Sequence, residues 1–295
     1  MVKDDTVKGI LCILASAIGF AAMMVFAKLA IDVDPIQKTF YRNILVSAIA
    51  LVFLIKNKTS LKIPPKARIP MLLRVICGTI GLTLAFVAVE MLYVADATLL
   101  QKLSPFVVII ASYFVLGEKV HKYQIAALLV AFIGVILVIK PGFGSFSIGA
   151  IIAIIGAIGG GFAYTFVRLS NKRGVDSGAI VFYFAMFAWV IYIPYMVMNF
   201  TPLSPYEMLI MLGIGISAAI GQYGITYAYS FAPGRSISVF EYSQVIFAAL
   251  FAFIAFGEVP DALSWLGYAI VIAAGALLIF RAKRIQKQEL KRDKA

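Results

Sequence analysis

Charge is scarce in this sequence. Lysine, arginine, aspartate and glutamate make up 14% of its 295 residues, against about a quarter in a typical soluble domain. Histidine occurs once, at His121, in a stretch read as a cytoplasmic loop, so a zinc site or other histidine-based centre lacks ligands. No Ser/His/Asp triad is expected either. The two cysteines, Cys12 and Cys77, both fall inside apolar segments, which argues against a disulfide framework. No G-x-x-x-x-G-K-[ST] pattern exists; "GGGFAYT" has no lysine and lies in an apolar run. The chain therefore carries no ATP motor, and no metal or other cofactor is expected.

Apolar sequence fills the space. Hydrophobic residues make up 62% of the chain and the mean hydropathy is +0.98. Runs of about 18 or more apolar residues recur, the length that spans a hydrocarbon core of ~30 Å. The first run starts at Gly9 and is followed by others like it, so it reads as a span and not as a removable signal peptide. Ten segments emerge, roughly 9–31, 36–56, 70–93, 96–117, 122–140, 147–168, 177–198, 206–231, 235–257 and 262–281. Short connections carry turn residues, among them Asp34-Pro35, Pro64-Pro65, Pro141-Gly142, Pro233-Gly234 and Val259-Pro260. With the N-terminus inside, 21 of the 26 lysines and arginines fall on the cytoplasmic side; only Lys28, Lys38, Arg42, Lys102 and Lys140 fall outside. That bias places both termini in the cytoplasm. The net charge of +12 reads as a topology signal and not as a nucleic-acid surface. The basic tail can touch anionic lipid, although fixing topology is its favoured role.

The chain also repeats itself. Shifted by 140 residues, "ATLLQKLSPFVVIIASYFVLGEKV" (Ala97–Val120) lies over "ISVFEYSQVIFAALFAFIAFGEVP" (Ile237–Pro260). Thr98 falls on Ser238, Gln101 on Glu241, Ser104 on Gln244, and Gly117-Glu118 on Gly257-Glu258. Five spans per half is an odd number, so the halves enter the membrane from opposite sides. This is the inverted-topology repeat of many secondary transporters, whose substrate sites lie near the midplane. The expected fold is all-α and integral to the membrane, with ten transmembrane helices in two five-helix repeats, residues 1–143 and 144–284, and a basic tail, 285–295.

Two stretches carry a resemblance. "YVADATLLQKLSPFVVIIASYFVLGEKVHKYQIAALLVAFIGVILVIKPG" and "YAYSFAPGRSISVFEYSQVIFAALFAFIAFGEVPDALSWLGYAIVIAAGALLIF" resemble the ends of the two halves of an EamA-type member of the drug/metabolite transporter superfamily. "FYRN" at the start of the second span is similar as well. The resemblance covers essentially the whole chain. It implies ten spans and a cavity lined mainly by spans 3, 4, 8 and 9. Its members carry amino acids, nucleosides and bases, sugars or their phosphates, S-adenosylmethionine and drugs. The small four-span relatives use a glutamate in their first span. The first span here has no acid, so that role does not transfer.

Intramembrane ionisable and polar residues are the functional candidates, because an unpaired charge costs several kcal/mol in lipid. In the third span Thr79, Thr83, Phe86, Glu90 and Tyr93 share a helix face, lining a cavity or bonding between helices. In the fourth, Thr98, Gln101 and Lys102 precede Pro105, which should bend the helix. Lys102 either pairs with Glu90 or meets an anionic group of a substrate. In the eighth, Gln222, Tyr223 and Tyr227 cluster with Thr226, Tyr229 and Ser230 as a polar-aromatic patch suited to planar or cationic ligands, or as an interfacial belt. In the ninth, Ser238, Glu241, Tyr242 and Gln244 repeat the fourth-span pattern. Glu241 either couples protons or neutralises a substrate amine, or it pairs with Arg235. Arg42 binds a carboxylate or phosphate, or pairs with Asp96 or Glu90. Lys28 is read as snorkelling, and Glu118 and Glu258 as helix-end anchors. "GAIGGGFA" (Gly156–Ala163) reads as tight helix packing.

The expected function is secondary transport of a small polar or amphipathic metabolite, such as an amino acid or nucleoside-like solute, across the plasma membrane. S-adenosylmethionine uptake is one alternative; a lipid flippase or a non-transporting membrane protein is another. Expected partners are a small-molecule substrate and membrane lipid, with no nucleic acid, in a monomer or homodimer.

Overall fold

A computed structural model describes residues 6–117, 122–139, 147–231 and 238–292. Among these residues there are helices and connections and no strand. The helices are α1 (Thr6–Leu29), α2 (Pro35–Lys56), α3 (Arg68–Met91), α4 (Val94–Gln101), α5 (Ser104–Leu116), α6 (Lys122–Ile139), α7 (Ile148–Lys172), α8 (Ser177–Asn199), α9 (Pro205–Phe231), α10 (Ser243–Phe256) and α11 (Ala262–Arg292). A 3-10 turn, Ser238–Tyr242, leads into α10. Seven segments are long and apolar enough to cross a membrane, with α4 and α5 counted together; Lys122–Val138, Phe240–Phe256 and Ala262–Leu277 are apolar but shorter. Large apolar side chains such as Phe114, Val197, Met198 and Ile254 point outward. That arrangement suits hydrocarbon and would be costly in water.

Local chemistry sets the helix ends. Asp34 caps α2 by accepting from the Ile36 and Gln37 amides at 2.8 and 3.3 Å, with Pro35 in the first turn; Asp176 does the same for α8 at 2.7 and 3.4 Å. Each satisfies amides that have no partner within the helix. Gly117 and Gly257 end α5 and α10 at φ 67°. This left-handed conformation is costly for any residue with a Cβ.

The fourth apolar segment is not one helix. Pro105 has no amide to offer the Gln101 carbonyl. The ladder therefore tightens: Lys102 N donates to Leu99 O at 2.8 Å and Leu103 N to Leu100 O at 3.1 Å, and α5 restarts at Ser104. The break falls three residues before the proline, and Lys102 occupies it. The ninth segment has a comparable irregular entry, the 3-10 turn that ends at Tyr242.

Three seams bring backbones together. Between α1 and α9, a Cβ on Gly19 would stand 2.6 Å from the Gly221 nitrogen, and Ser16 Oγ donates to Gly221 O at 2.6 Å. Between α3 and α7, a Cβ on Gly81 would stand 2.9 Å from both Gly156 O and Gly160 N, and one on Gly159 would stand 3.2 Å from the Gly81 Cα. Between α6 and α11, a Cβ on Gly267 would stand 2.6 Å from Gly134 O. The tight packing expected of Gly156–Ala163 is therefore present. Close backbone approach of this kind maximises dispersion where lipid supplies no hydrophobic drive between helices.

Candidate functional site

The helices enclose a cavity of about 630 Å³. Its wall takes Gly78, Gly81 and Ala85 from α3, Gln101 and Lys102 from the α4–α5 break, Gln222 and Ile225 from α9, and Glu241, Tyr242 and Gln244 from the ninth segment. The four segments the resemblance implied all contribute, but α1 and α7 contribute as much of the wall as α3 does. Ser16 and Phe20 of α1 and Gly160 and Tyr164 of α7 add two more sides.

The break carries Lys102 into this wall. Its Nζ donates to Gln244 Oε1 at 2.7 Å. Glu241 lines the same cavity. Lys102 thus joins the fourth segment to the ninth, and the expected Lys102–Glu90 pair does not form. Glu90 accepts instead from Lys38, whose Nζ also donates to Ala27 O at 2.9 Å. The reason is helix phase: Glu90 faces α2, and Lys102 faces the cavity.

Six of the thirteen candidate residues line the cavity: Gln101, Lys102, Gln222, Glu241, Tyr242 and Gln244. Those others whose side chains are described lie elsewhere. Thr83 bonds Thr39 at 3.1 Å and Tyr192 at 2.8 Å, on the side of α3 that meets α2 and α8. Tyr93 is exposed near Lys28, whose Nζ lies 6.0 Å from its ring. Thr98 is fully buried, and its hydroxyl has no partner among the described residues. Tyr223 packs against Phe53 with ring centres 4.3 Å apart and the planes tilted by 34°, and lies 6.4 Å from Tyr227, which is itself half-exposed. The side chains of Ser238, Thr226, Tyr229 and Ser230 lie outside the described residues, as do Glu118, His121 and Arg235.

Other readings also change. Lys28 does not snorkel. It donates to Leu92 O at 2.6 Å and to Glu258 Oε1, while Glu258 Oε2 accepts from the Val94 amide at 2.9 Å. Glu258 is thus an anchor in the literal sense, tying α1 and the start of α4 to the end of α10. Arg42 pairs with neither Asp96 nor Glu90. Asp96 accepts from Tyr268 Oη at 2.6 Å, and Arg42 donates to Asn43 Oδ1 at 2.6 Å.

Sequence reasoning missed Arg74. Counted there only among the charges of the cytoplasmic side, it sits one and a half turns into α3 and is buried in the cavity wall beside Arg42. Its guanidinium carbon lies 4.0 Å from the Phe184 ring centre, and that of Arg42 lies 6.0 Å from the same ring. The usable signal was periodicity: Arg74, Gly78, Gly81 and Ala85 recur on one face. Lys38, fully buried, was missed for the same reason.

Comparison with known proteins agrees with this architecture. The EamA-like transporter family model matches residues 7–140 and again 147–281. The pseudopaline exporter CntI of Pseudomonas aeruginosa is 29% identical over 288 residues, covering 96% of this chain and all of that protein. The human solute carrier family 35 member G1 is 26% identical over 267 residues, 85% of this chain and 73% of that one. The S-adenosylmethionine uptake transporter of Rickettsia prowazekii is 23% identical over 209 residues, 70% of this chain and 67% of its own. A crystal structure superposes with a TM-score of 0.59 at 19% identity, covering 92% of this chain and 98% of the other, a likeness of fold. With the family model matched along nearly its whole length, the chain belongs to the EamA-like transporter family of multi-pass membrane proteins.

Proposed function

We propose that this protein is a secondary transporter of a small polar or amphipathic metabolite, bound in the cavity between the fourth and ninth segments. The observation that carries the reading is the Lys102–Gln244 bond, made between matching parts of the repeat inside the cavity and next to Glu241. A cation, a carboxylate and amides in one wall suit a solute bearing both charges, such as an amino acid, or a nucleoside-like solute. Glu241 is the candidate for proton coupling. Gln101, Lys102, Gln222, Tyr242 and Gln244 are the candidate substrate contacts.

We further propose ten crossings in two inverted repeats, residues 1–143 and 144–284, with the tail 285–295 and both termini in the cytoplasm. Support comes from the seams. Gly19 meets Gly221, and Gly159 meets Gly81; shifting either pair by the repeat offset of 140 residues reproduces the other with the halves exchanged. Two such contacts are expected of a pseudo-two-fold axis in the membrane plane. Single reporter fusions in each connection test the topology.

Substrate and coupling are tested together. Labelled amino acids, nucleosides and S-adenosylmethionine are presented to proteoliposomes with and without a pH gradient. Gradient-driven exchange of one of them, lost in Glu241→Gln, supports the reading. Full gradient-driven transport by Glu241→Gln removes the coupling role, and no exchange of any solute removes the transport reading. One relative is named an exporter and another an uptake transporter, so orientation-controlled vesicles are used to read direction.

A further inference from the structure

We infer that Arg42 and Arg74 form an anion-binding subsite in the cavity wall, taking a carboxylate or phosphate group of the transported solute. Both arginines are buried, at 3% and 7% exposure, and both line the cavity. Among the described residues neither meets a carboxylate at ion-pair distance; Glu258 is held by Lys28 and Glu90 by Lys38. Among the described residues the Nε of each has no hydrogen-bond partner. Arg42 donates to Asn43, and the Arg74 guanidinium lies against the Tyr164 and Phe184 rings.

Two like charges held together without a counter-charge are costly away from water. The local structure nevertheless builds this arrangement. Gly78 leaves room for the Arg74 guanidinium, since a Cβ there would stand 2.1 Å from Nη1. Phe184 then covers the flat face at 4.0 Å. Stacking occupies the face of a guanidinium and leaves its N–H edges for a planar or tetrahedral oxyanion. Arg42 approaches the same ring from another helix, so the two cations converge on one place. A group that carries negative charge and several acceptor oxygens completes the site.

This inference rests on the cavity being the substrate site, and the experiment separates the two. Purified full-length protein is melted at constant ionic strength in choline chloride, then with succinate or inorganic phosphate replacing part of the chloride. The expected result is a saturable rise in melting temperature with at least one of these anions. A response to succinate alone assigns a carboxylate, and one to phosphate alone assigns a phosphate. Half-saturation should weaken by about 30-fold or more in Arg74→Gln and far less in Arg74→Lys. No saturable shift on the unmodified protein overturns the subsite, however the variants behave, and so does an unchanged response in Arg74→Gln. Anion binding at the arginines with no exchange of any solute in proteoliposomes would instead overturn the transport reading and leave the subsite standing.

Discussion

The Lys38–Glu90 pair gives the most direct test of the partner exchange described above. Glu90→Leu removes the carboxylate and leaves a wholly buried ammonium whose remaining hydrogen bond is to Ala27 O at 2.9 Å. Two unit charges about 4 Å apart at an effective dielectric of about 20 attract by ~4 kcal/mol. Removing one partner of a buried pair costs about 3–5 kcal/mol. The lower end applies, because the Glu90 side chain keeps 18% exposure and the Ala27 carbonyl stays in place. About 3 kcal/mol at about 2 °C per kcal/mol lowers the melting temperature by roughly 6 °C. Lys38→Met/Glu90→Leu exchanges the pair for apolar side chains of similar volume and should recover to within roughly 2 °C of the parent. The assay is a melt of the detergent-purified protein followed by intrinsic fluorescence. The reasoning is refuted if Glu90→Leu melts with the parent, or if the double variant melts no higher than Glu90→Leu.

Three further outcomes are expected. Lys102→Met leaves the buried Gln244 Oε1 without its donor, which should cost about 1–3 kcal/mol in the melt, while solute exchange falls at least tenfold; normal exchange would place Lys102 outside the transport path. Gly81→Ala forces the α3 and α7 backbones apart at an expected cost of about 1–3 kcal/mol. Gly160→Ala, whose Cβ would have its nearest neighbour at 3.8 Å, should melt no lower than the parent, and equal losses in both would discredit the seam. Tyr268→Phe removes the donor to Asp96 at 2.6 Å and should cost about 1–3 kcal/mol; a neutral result in the melt would mean that the bond contributes nothing net.

Helix positions were legible because apolar run length is a property of the chain alone. Each of the ten segments read from hydropathy overlaps a helix among the described residues, seven of them long and apolar enough to cross a membrane, although the fourth breaks three residues before the proline that prompted the expectation of a bend. Part of the cavity wall was legible as well, since Gln101, Lys102, Glu241 and Gln244 are polar positions in otherwise apolar segments. What escaped depends on rotation about the helix axis. Glu90 and Lys102 both lie toward one end of adjacent segments, so proximity along the sequence suggested a pair. Their partners, 52 and 142 residues away in sequence, depend on the facing helix. Lys38 and Arg74 entered only the count of charges on each side of the membrane, because each lies within two turns of a helix start. Distance from a helix end does not tell whether a side chain points to water or to the core.

The glycine seams bear on which parts of the molecule travel together. Helices that touch backbone to backbone have no intervening layer of side chains to change rotamer, so they resist sliding more than helices joined by long side chains. On that ground α1 with α9, and α3 with α7, behave as stiff paired struts. Under the proposed repeat, each strut takes one member from either half of the sequence. The rigid bodies of the transport cycle would then be interleaved pairs and not the two halves of the gene product. The hinges would fall at the softer joints, where the interrupted fourth and ninth segments carry Lys102 and Tyr242.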